Sequence, residues 1–388
     1  FTPEFEGEAS VGDRGYYQVR ASASAPLVDD RVAFRLTGSR TSRDGFMTNV
    51  RTGRDLQDYD NTSVRGQLLI KPTDDVTIRI IGDYSSQRLH CCANVLAGEF
   101  QTYSDGVTVA NSFRDRTARA GYTPLPYDPF ARRVDVDAPV EVRMKSYGVS
   151  GQLDWDLGPA TLTAISAWRW WDWDPANDAD STGLSILPRS GVVTRQSQFS
   201  QELRLASNGT NRIDWLVGAY YFQQAIGGTT TIGYGADAPL WYRAPTSPLP
   251  LATWARALDG FTAQSYSKPV THSYAAFAQT TWHATDRLAI TTGLRFTHEK
   301  KDGSFEQWWQ SGADVSGNAA ATAIRNSFNP VISYEAKRKD DSLSGLVNLS
   351  YKVRPDVTAY ASYSRSGKSG GLNLVSFPIG VIVPRTIA

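Results

Sequence analysis

A chain of 388 residues carrying 40 Lys and Arg against 39 Asp and Glu is long enough for one large β structure or for two or three ordinary domains, and its near-neutral balance offers no general field for nucleic acid. Hydrophobic residues make up 41%, and no stretch approaches the ~18 consecutive apolar residues of a spanning helix. That excludes a helical membrane protein but leaves a membrane barrel open, because lumen-facing residues dilute the apolar signal of such strands.

The predicted elements are strands with a side-chain period of two. Phe5, Gly7, Ala9 and Val11 alternate with Glu6, Glu8 and Ser10, and Tyr17, Val19, Ala21, Ala23 and Ala25 with Gln18, Arg20, Ser22 and Ser24. Val32, Phe34 and Leu36 share a face opposite Arg35; Val64, Gly66, Leu68 and Ile70 oppose Arg65 and Gln67; Val76, Ile78 and Ile80 oppose Arg79 and Asp83. Further on, Tyr147, Val149, Leu153 and Trp155 form one face, and Leu162, Ala164, Trp168 and Trp170 another, with Arg169 opposed. The clearest hairpin lies at 196–224. Phe199, Gln201, Leu203 and Leu205 oppose Glu202 and Arg204; the turn formers Asn208-Gly209-Thr210-Asn211 follow; then Ile213, Trp215, Val217, Ala219 and Tyr221 oppose Asp214. The strand near 273–282 has no clear facing, since Tyr274 and Phe277 fall on opposite sides. Leu288, Ile290, Leu294 and Phe296 oppose Arg295 and Glu299; Leu343, Val347, Leu349 and Tyr351 oppose Ser344 and Asn348; Val357, Ala359 and Ala361 oppose Thr358 and Tyr360.

Short turns alternate with long loops, which are expected near 40–61, 86–145, 173–193, 225–270, 301–340 and 365–388. Membrane barrels have this asymmetry because one rim carries short turns and the other long external loops. The competing reading, a soluble β protein with one solvated face, does not account for it, since structureless loops above about 12–15 residues are uncommon in compact domains. No Asp, Glu, Lys or Arg lies on any assigned outer face, as expected where Arg or Lys at the bilayer midplane costs about 2–4 kcal/mol. Strands of about 9–12 residues suit a tilted crossing. The fold class is therefore all-β, a transmembrane antiparallel up-and-down barrel of about thirteen strands. That number is odd, whereas single-chain bacterial barrels are even, and an open sheet would leave two edges in lipid with unpaired backbone groups. The chain also begins at Phe1, with neither Met nor a signal peptide. The start leads us to expect a mature or excised piece, and the odd strand count a partial barrel, incomplete at its C-terminal end.

Several segments carry a family resemblance. Phe199-Ser-Gln-Glu-Leu-Arg-Leu-Ala-Ser207 with Trp215-Leu-Val-Gly-Ala-Tyr-Tyr-Phe222 resembles the mid-barrel hairpin of TonB-dependent outer-membrane receptors, as do Val64-Arg-Gly-Gln-Leu-Leu69 with its Lys71-Pro72 turn and Thr292-Gly-Leu-Arg-Phe-Thr297. Tyr360-Ala-Ser-Tyr-Ser-Arg-Ser-Gly-Lys-Ser-Gly-Gly-Leu-Asn373 is similar to the stretch of that family that leaves the membrane into a late external loop. The resemblance covers essentially the whole chain. It implies a barrel of about 22 strands closed by an N-terminal plug, in the bacterial outer membrane, importing a scarce nutrient such as a ferric siderophore. Its partners would be outer-membrane lipid, the small-molecule ligand and, through the plug, the TonB–ExbB–ExbD system; nucleic acid is not among them. Against that pattern, the plug and about nine later strands are expected to be missing from this sequence.

Candidates for chemistry are few. Charges assigned to the lumen side, Arg20, Arg35, Arg65, Arg79, Arg169, Glu202, Arg204, Asp214, Arg295 and Glu299 together with Glu6, read as a polar inner wall making salt bridges, and the resemblance implies that some of them touch a plug. Loop aromatics offer rigid apolar contact area for a ligand: Trp171, Trp173, Trp241, Tyr242, Trp254, Trp308 and Trp309. Trp168 and Trp170, on a strand, read instead as an interfacial belt. His90-Cys91-Cys92 falls one ligand short of a tetrahedral metal site, and the adjacent cysteines are expected to form a vicinal disulfide or to stay free thiols. No catalytic set, metal site or cofactor motif is recognised. Arg365–Gly371 lacks the His and the Arg-Ala-Pro box of haem-uptake receptors, which disfavours haem. The alternatives to an active importer are a passive porin and a barrel enzyme.

Overall fold

The computed structural model describes residues 1–209, 211–378 and 383–387; Thr210, in the expected turn, and part of the expected last loop lie outside them. A single antiparallel sheet of 13 strands dominates, and its order in space is its order in the chain. The strands are β1 (Glu4–Val11), β2 (Tyr17–Val28), β3 (Val32–Arg43), β4 (Tyr59–Ile70), β5 (Val76–Leu89), β6 (Glu141–Asp156), β7 (Ala160–Ala176), β8 (Arg189–Ser207), β9 (Ile213–Gly233), β10 (Thr262–His283), β11 (Leu288–Ser311), β12 (Ile332–Arg354) and β13 (Val357–Arg365). β1 and β13 are the edges, and among the described residues nothing pairs them with each other. No helix of the described residues is long and apolar enough to cross a membrane, which says nothing of strands.

Residues directly opposite in a ladder share a face, so the register tests the assigned outer surface from strand to strand. Ala23 stands opposite Leu36, Leu36 opposite Gly66, Leu68 opposite Ile80 and Ile80 opposite Gly151. Leu153 then faces Ala164, Ala164 faces Leu203, Leu203 faces Ala219, Ala219 faces Ala276, Ala276 faces Phe296 and Phe296 faces Leu343. Every strand thus puts its apolar set on one continuous surface. The ambiguous strand is settled as well: Tyr274 lies opposite Tyr221 on the apolar surface, and Phe277 lies opposite Gly218 on the other. Gly218 is required there, since a Cβ would stand 2.4 Å from the Phe277 ring.

The sheet is inverted relative to a soluble one. Leu294 is 62% exposed and Leu343 65%, whereas Ser22, Thr163 and Ser273 on the polar side are buried. An apolar surface of this extent on the open side of a sheet is what a hydrocarbon solvent selects.

Two expectations need correction. First, β8 to β12 run for 19–24 residues rather than about 9–12, so parts of the expected loops at 173–193, 225–270 and 301–340 are ladder. The hydrogen bonding continues past the apolar belt while the outward side chains turn polar, as at Lys300, Asp302 and Ser304, so the alternation that marks a strand disappears before the strand does. Second, the long loops, for which the sequence indicated only bounds, are themselves folded. They contain α1 (Phe113–Arg119), α2 (Ala238–Tyr242), α3 (Leu251–Leu258) and α4 (Ala319–Phe328). These helices pack around a core that includes Ile186, Ala238, Ala257, Leu258, Phe261 and Ile324. A smaller core of Leu56, Ala93, Val134, Val136 and Val140 lies beneath the loop after β5. Arg325 pins the larger one: it is 4% exposed, lies 4.6 Å from the Phe261 ring centroid, and donates to Ala257 O at 2.7 Å and Ala313 O at 2.7 Å.

Leu203, central on the apolar surface, gives a direct test. Leu203→Arg is expected to lower the free energy of folding into phospholipid vesicles by about 2–4 kcal/mol, and Ser200→Arg, on the polar face of the same strand, by less than ~1 kcal/mol. Equal losses in urea titration would remove the inside-out reading.

Candidate functional site

The polar face of the sheet holds every charge assigned to it from the sequence. One ladder row is unusually rich: Arg65, Asp83, Gly148, Arg169, Gln198, Gln224, Thr271, Lys301 and Arg338 follow one another across β4 to β12. Arg169 reaches over Gly148 to Asp83, Nη2 to Oδ1 at 2.7 Å, and donates to Ser146 Oγ at 3.0 Å. Gly148 makes this possible, because a Cβ there would stand 3.3 Å from the guanidinium and 2.9 Å from Trp168 O. Elsewhere on the wall Arg35 meets Glu6 at 3.3 Å and Ser22 Oγ at 3.0 Å, and Arg204 meets Glu202 at 3.4 Å. Asp214 accepts from His283 at 2.8 Å near a short turn, and Arg295 lies over the rings of Tyr220 and Phe277. Arg20 and Arg79 share the same face. Lys301 pairs with Glu299 at 2.6 Å and donates to Ser369 Oγ and Gly370 O, so the segment after β13 folds inward over β11. Gly303 lets it sit close, since a Cβ would stand 2.8 Å from Leu372 and Leu374. Tyr334 closes the strap by donating to Val375 O at 2.8 Å.

The expected ligand aromatics divide. Trp171 and Trp173 project from the same face as Arg169, toward the long-loop rim, with their rings stacked at 6.2 Å and 8°. Trp241 is buried in the larger loop core, edge-on to Phe113 and covered by Arg116. Tyr242 and Trp254 pack against Phe328, and Trp309 packs on Phe261 while its Nε1 donates to Asn329 O at 2.8 Å. Trp308 is on the opposite face, donating to Gln310. Trp309 shares the inner face but is packed into the loop core, so the stacked pair is the part of the set that stands on the inner wall outside that core. Together with the row below it, it offers flat apolar faces beside donors and acceptors of both signs, an arrangement for holding a polar, partly aromatic solute without bond chemistry.

The structure sets the Cys91 and Cys92 sulfurs against one another, directly after His90, whose ring bridges Asp58 and Arg54. We propose that they form a vicinal disulfide, in which case iodoacetamide should label neither cysteine until the protein is reduced; labelling without reductant shows free thiols.

Sequence reasoning missed an acidic knot where the end of the loop between β5 and β6 meets the loop between β7 and β8. Carboxylate oxygens of Asp137, Asp178 and Asp180 lie within 4.8 Å of one another. Asp178 accepts from Ser181 N at 2.8 Å, and Asp180 from Leu187 N at 2.8 Å and from the Thr182 hydroxyl. Asp137 Oδ1 has no partner among the described residues. Such oxygens are hard-cation donors in kind, but those of Asp178 and Asp180 are already engaged by loop amides. The signal for the knot was Asn177-Asp178-Ala179-Asp180-Ser181-Thr182, a run of residues that cap their own backbone. Burial, with Asp180 and Asp137 nearby, pushes the Asp178 carboxyl up to about 6. Folding therefore favours its protonated form: this contribution to loop stability is fully present below the ordinary aspartate pKa of ~3.9 and is lost as pH rises through about 6. Protease nicking of this loop should accelerate across that window, and Asp178→Asn should flatten the dependence; an unchanged profile would show that Asp178 does not set it.

Comparison with known proteins adds a second line. A family model described as "TonB dependent receptor-like, beta-barrel" matches residues 189–382. The pesticin receptors of Yersinia enterocolitica and Yersinia pestis are each 23% identical over 377 residues, covering 96% of this chain and 45% of their own length. Among solved structures, the ferric yersiniabactin uptake receptor FyuA from Yersinia pestis aligns with a TM-score of 0.69 at 19% identity, over 97% of this chain and 49% of that one. The siderophore receptor PiuA from Acinetobacter baumannii aligns with a TM-score of 0.62 at 11% identity, over 94% of this chain and 49% of that one. The chain thus spans about half the length of the curated relatives it matches.

Proposed function

Because the chain belongs to the TonB-dependent receptor-like β-barrel family, we propose that it supplies barrel wall and external loops to an outer-membrane receptor that imports a scarce nutrient, a ferric siderophore in the first instance, with energy from the TonB–ExbB–ExbD system. The observation that carries this reading is the pairing of a continuous apolar outer surface with a charged inner wall under a folded external layer. A solute entering past the loops would meet Trp171 and Trp173, then the polar row around Arg169. The relatives point the same way, being named as pesticin and siderophore receptors. A passive porin would need an unobstructed lumen, whereas here residues after β13 fold inward over β11 and β12.

Deleting the gene in its parent organism should abolish accumulation of one ferric chelate in iron-poor medium, and loss of TonB should abolish the same uptake. Uptake that survives loss of TonB, with sugars diffusing freely through the reconstituted protein, would favour the porin. Trp171→Ala with Trp173→Ala should weaken chelate binding about fivefold to tenfold, since an aromatic contact is worth ~0.5–1.5 kcal/mol; Trp309→Ala should lower stability instead.

A further inference from the structure

At the height of Trp171 and Trp173 the two faces of the sheet differ sharply in charge. On the inner face the ladder row of Trp171 runs from Ser39 on β3 to Ala336 on β12, and the row of Trp173 from Thr41 to Tyr334. Neither row contains Asp, Glu, Lys, Arg or His. Directly beside the indoles stand Ser146, Gln196, Met144 and Thr194. The outward row interleaved with these two carries Arg40, Lys145, Asp172, Arg195, Lys268 and Glu335. Lipid cannot be what keeps charge off the lumen side, so the neutral band has another reason. Cations of the next inner row down are already matched: Arg169 lies 2.7 Å from Asp83, Lys301 2.6 Å from Glu299 and Arg338 2.7 Å from Asp340, while Arg65 stands opposite Asp83. Between the band and that row, Gln196 Nε2 and Gln224 Nε2 donate to Gln198 Oε1 at 3.0 and 3.5 Å. This leaves Gln198 Nε2 as a donor and the Gln196 and Gln224 side-chain oxygens as acceptors, all uncharged and on the face of the indoles.

From this segregation we infer that the inner wall selects a ferric chelate of zero net charge. In such a complex three singly ionised groups, of the hydroxamate kind, cancel the charge of the iron. The disfavoured class is the anionic chelate, of which a tris-catecholate is the extreme. The inference rests on the importer reading and narrows its ligand. A multiply charged anion brought against two neutral rows would shed hydration and meet no free cation in return. An uncharged complex gives up little and gains the indole faces and the glutamine amides. Discrimination of this kind needs no repulsive side chain, because the uncompensated desolvation of the wrong ligand supplies it.

The test uses the full-length receptor in mild detergent and follows quenching of tryptophan fluorescence by two panels of probes, linear and cyclic ferric tris-hydroxamates and ferric tris-catecholates. At least one hydroxamate complex should bind about tenfold or more tighter than every catecholate, with an affinity unchanged between about 0.05 and 0.5 M salt. Thr194→Lys with Gln196→Lys should raise affinity for the catecholates by about tenfold, in a salt-dependent way, without improving the hydroxamates. Thr194→Ser with Gln196→Asn, which keeps the wall neutral, should retain the wild-type preference. Wild-type preference for catecholates, a steep salt dependence of wild-type binding, or a folded lysine variant that binds like wild type overturns the inference. Should the lysine variant not fold, the wild-type preference and salt response decide. Uptake assays separate the premises. TonB-dependent uptake of a catecholate alone leaves the importer reading standing and removes the charge selectivity; if no ferric chelate is taken up, the importer reading falls and this inference with it.

Discussion

A peptide group in hydrocarbon has no water to bond with, and leaving it unpaired costs several kcal/mol. In this chain the ladder itself meets that requirement: each of β2 to β12 is paired on both sides through its membrane-crossing part. Once the backbone is satisfied in this way, the side chains only have to sort by face. The apolar set of every strand falls on one surface, and Ser22, Thr163 and Ser273 are sheltered on the other. Glycine serves the same constraint on the polar face. Gly148 and Gly218 remove side chains where Arg169 and Phe277 must cross to a neighbouring strand.

Above the belt the rules change. Water is available again, so the strands are free to continue as solvated ladder, and β11 runs from Leu288 to Ser311. The loops there build cores of the ordinary kind. Phe261, Leu258 and Ile186 are fully buried, and Arg325 fills the carbonyl acceptors between α3, α4 and the loop after β11. One chain thus contains an inverted sheet and, on top of it, a conventional small-domain interior. The inner wall where Trp171, Trp173 and Arg169 stand lies where these two regimes meet, with rigid strands beneath it and a packed cap above.

How much of this was legible beforehand follows from where periodicity holds. Within the belt the alternation is enforced by lipid, so the facing of twelve strands could be read from single segments and the ladder registers agree with it. Phe277 defeated that reading because its partner is an absence of side chain at Gly218, on another strand. The loop aromatics were harder. Trp241, Tyr242, Trp254 and Trp309 look like exposed contact residues when no period marks a core, yet each packs into the cap. α4 left a trace in Asn318 followed by an Ala-rich run, and Asn318 does cap Ala321 N at 3.0 Å. The acidic knot left one as well, but the distance between Asp137 and Asp178 along the chain hid their meeting.

The identity of spatial order and chain order has a kinetic side. Each strand needs only its immediate predecessor as a template, so the sheet can zip forward hairpin by hairpin with short loop closures across the tight turns. The long excursion between β5 and β6 is the one pairing step that must bridge some fifty residues before any ladder forms. During such growth the newest strand always offers an open row of amides and carbonyls, the very feature that recruits another strand or an unwanted chain. A wall built this way is vulnerable at its advancing margin rather than in its finished body.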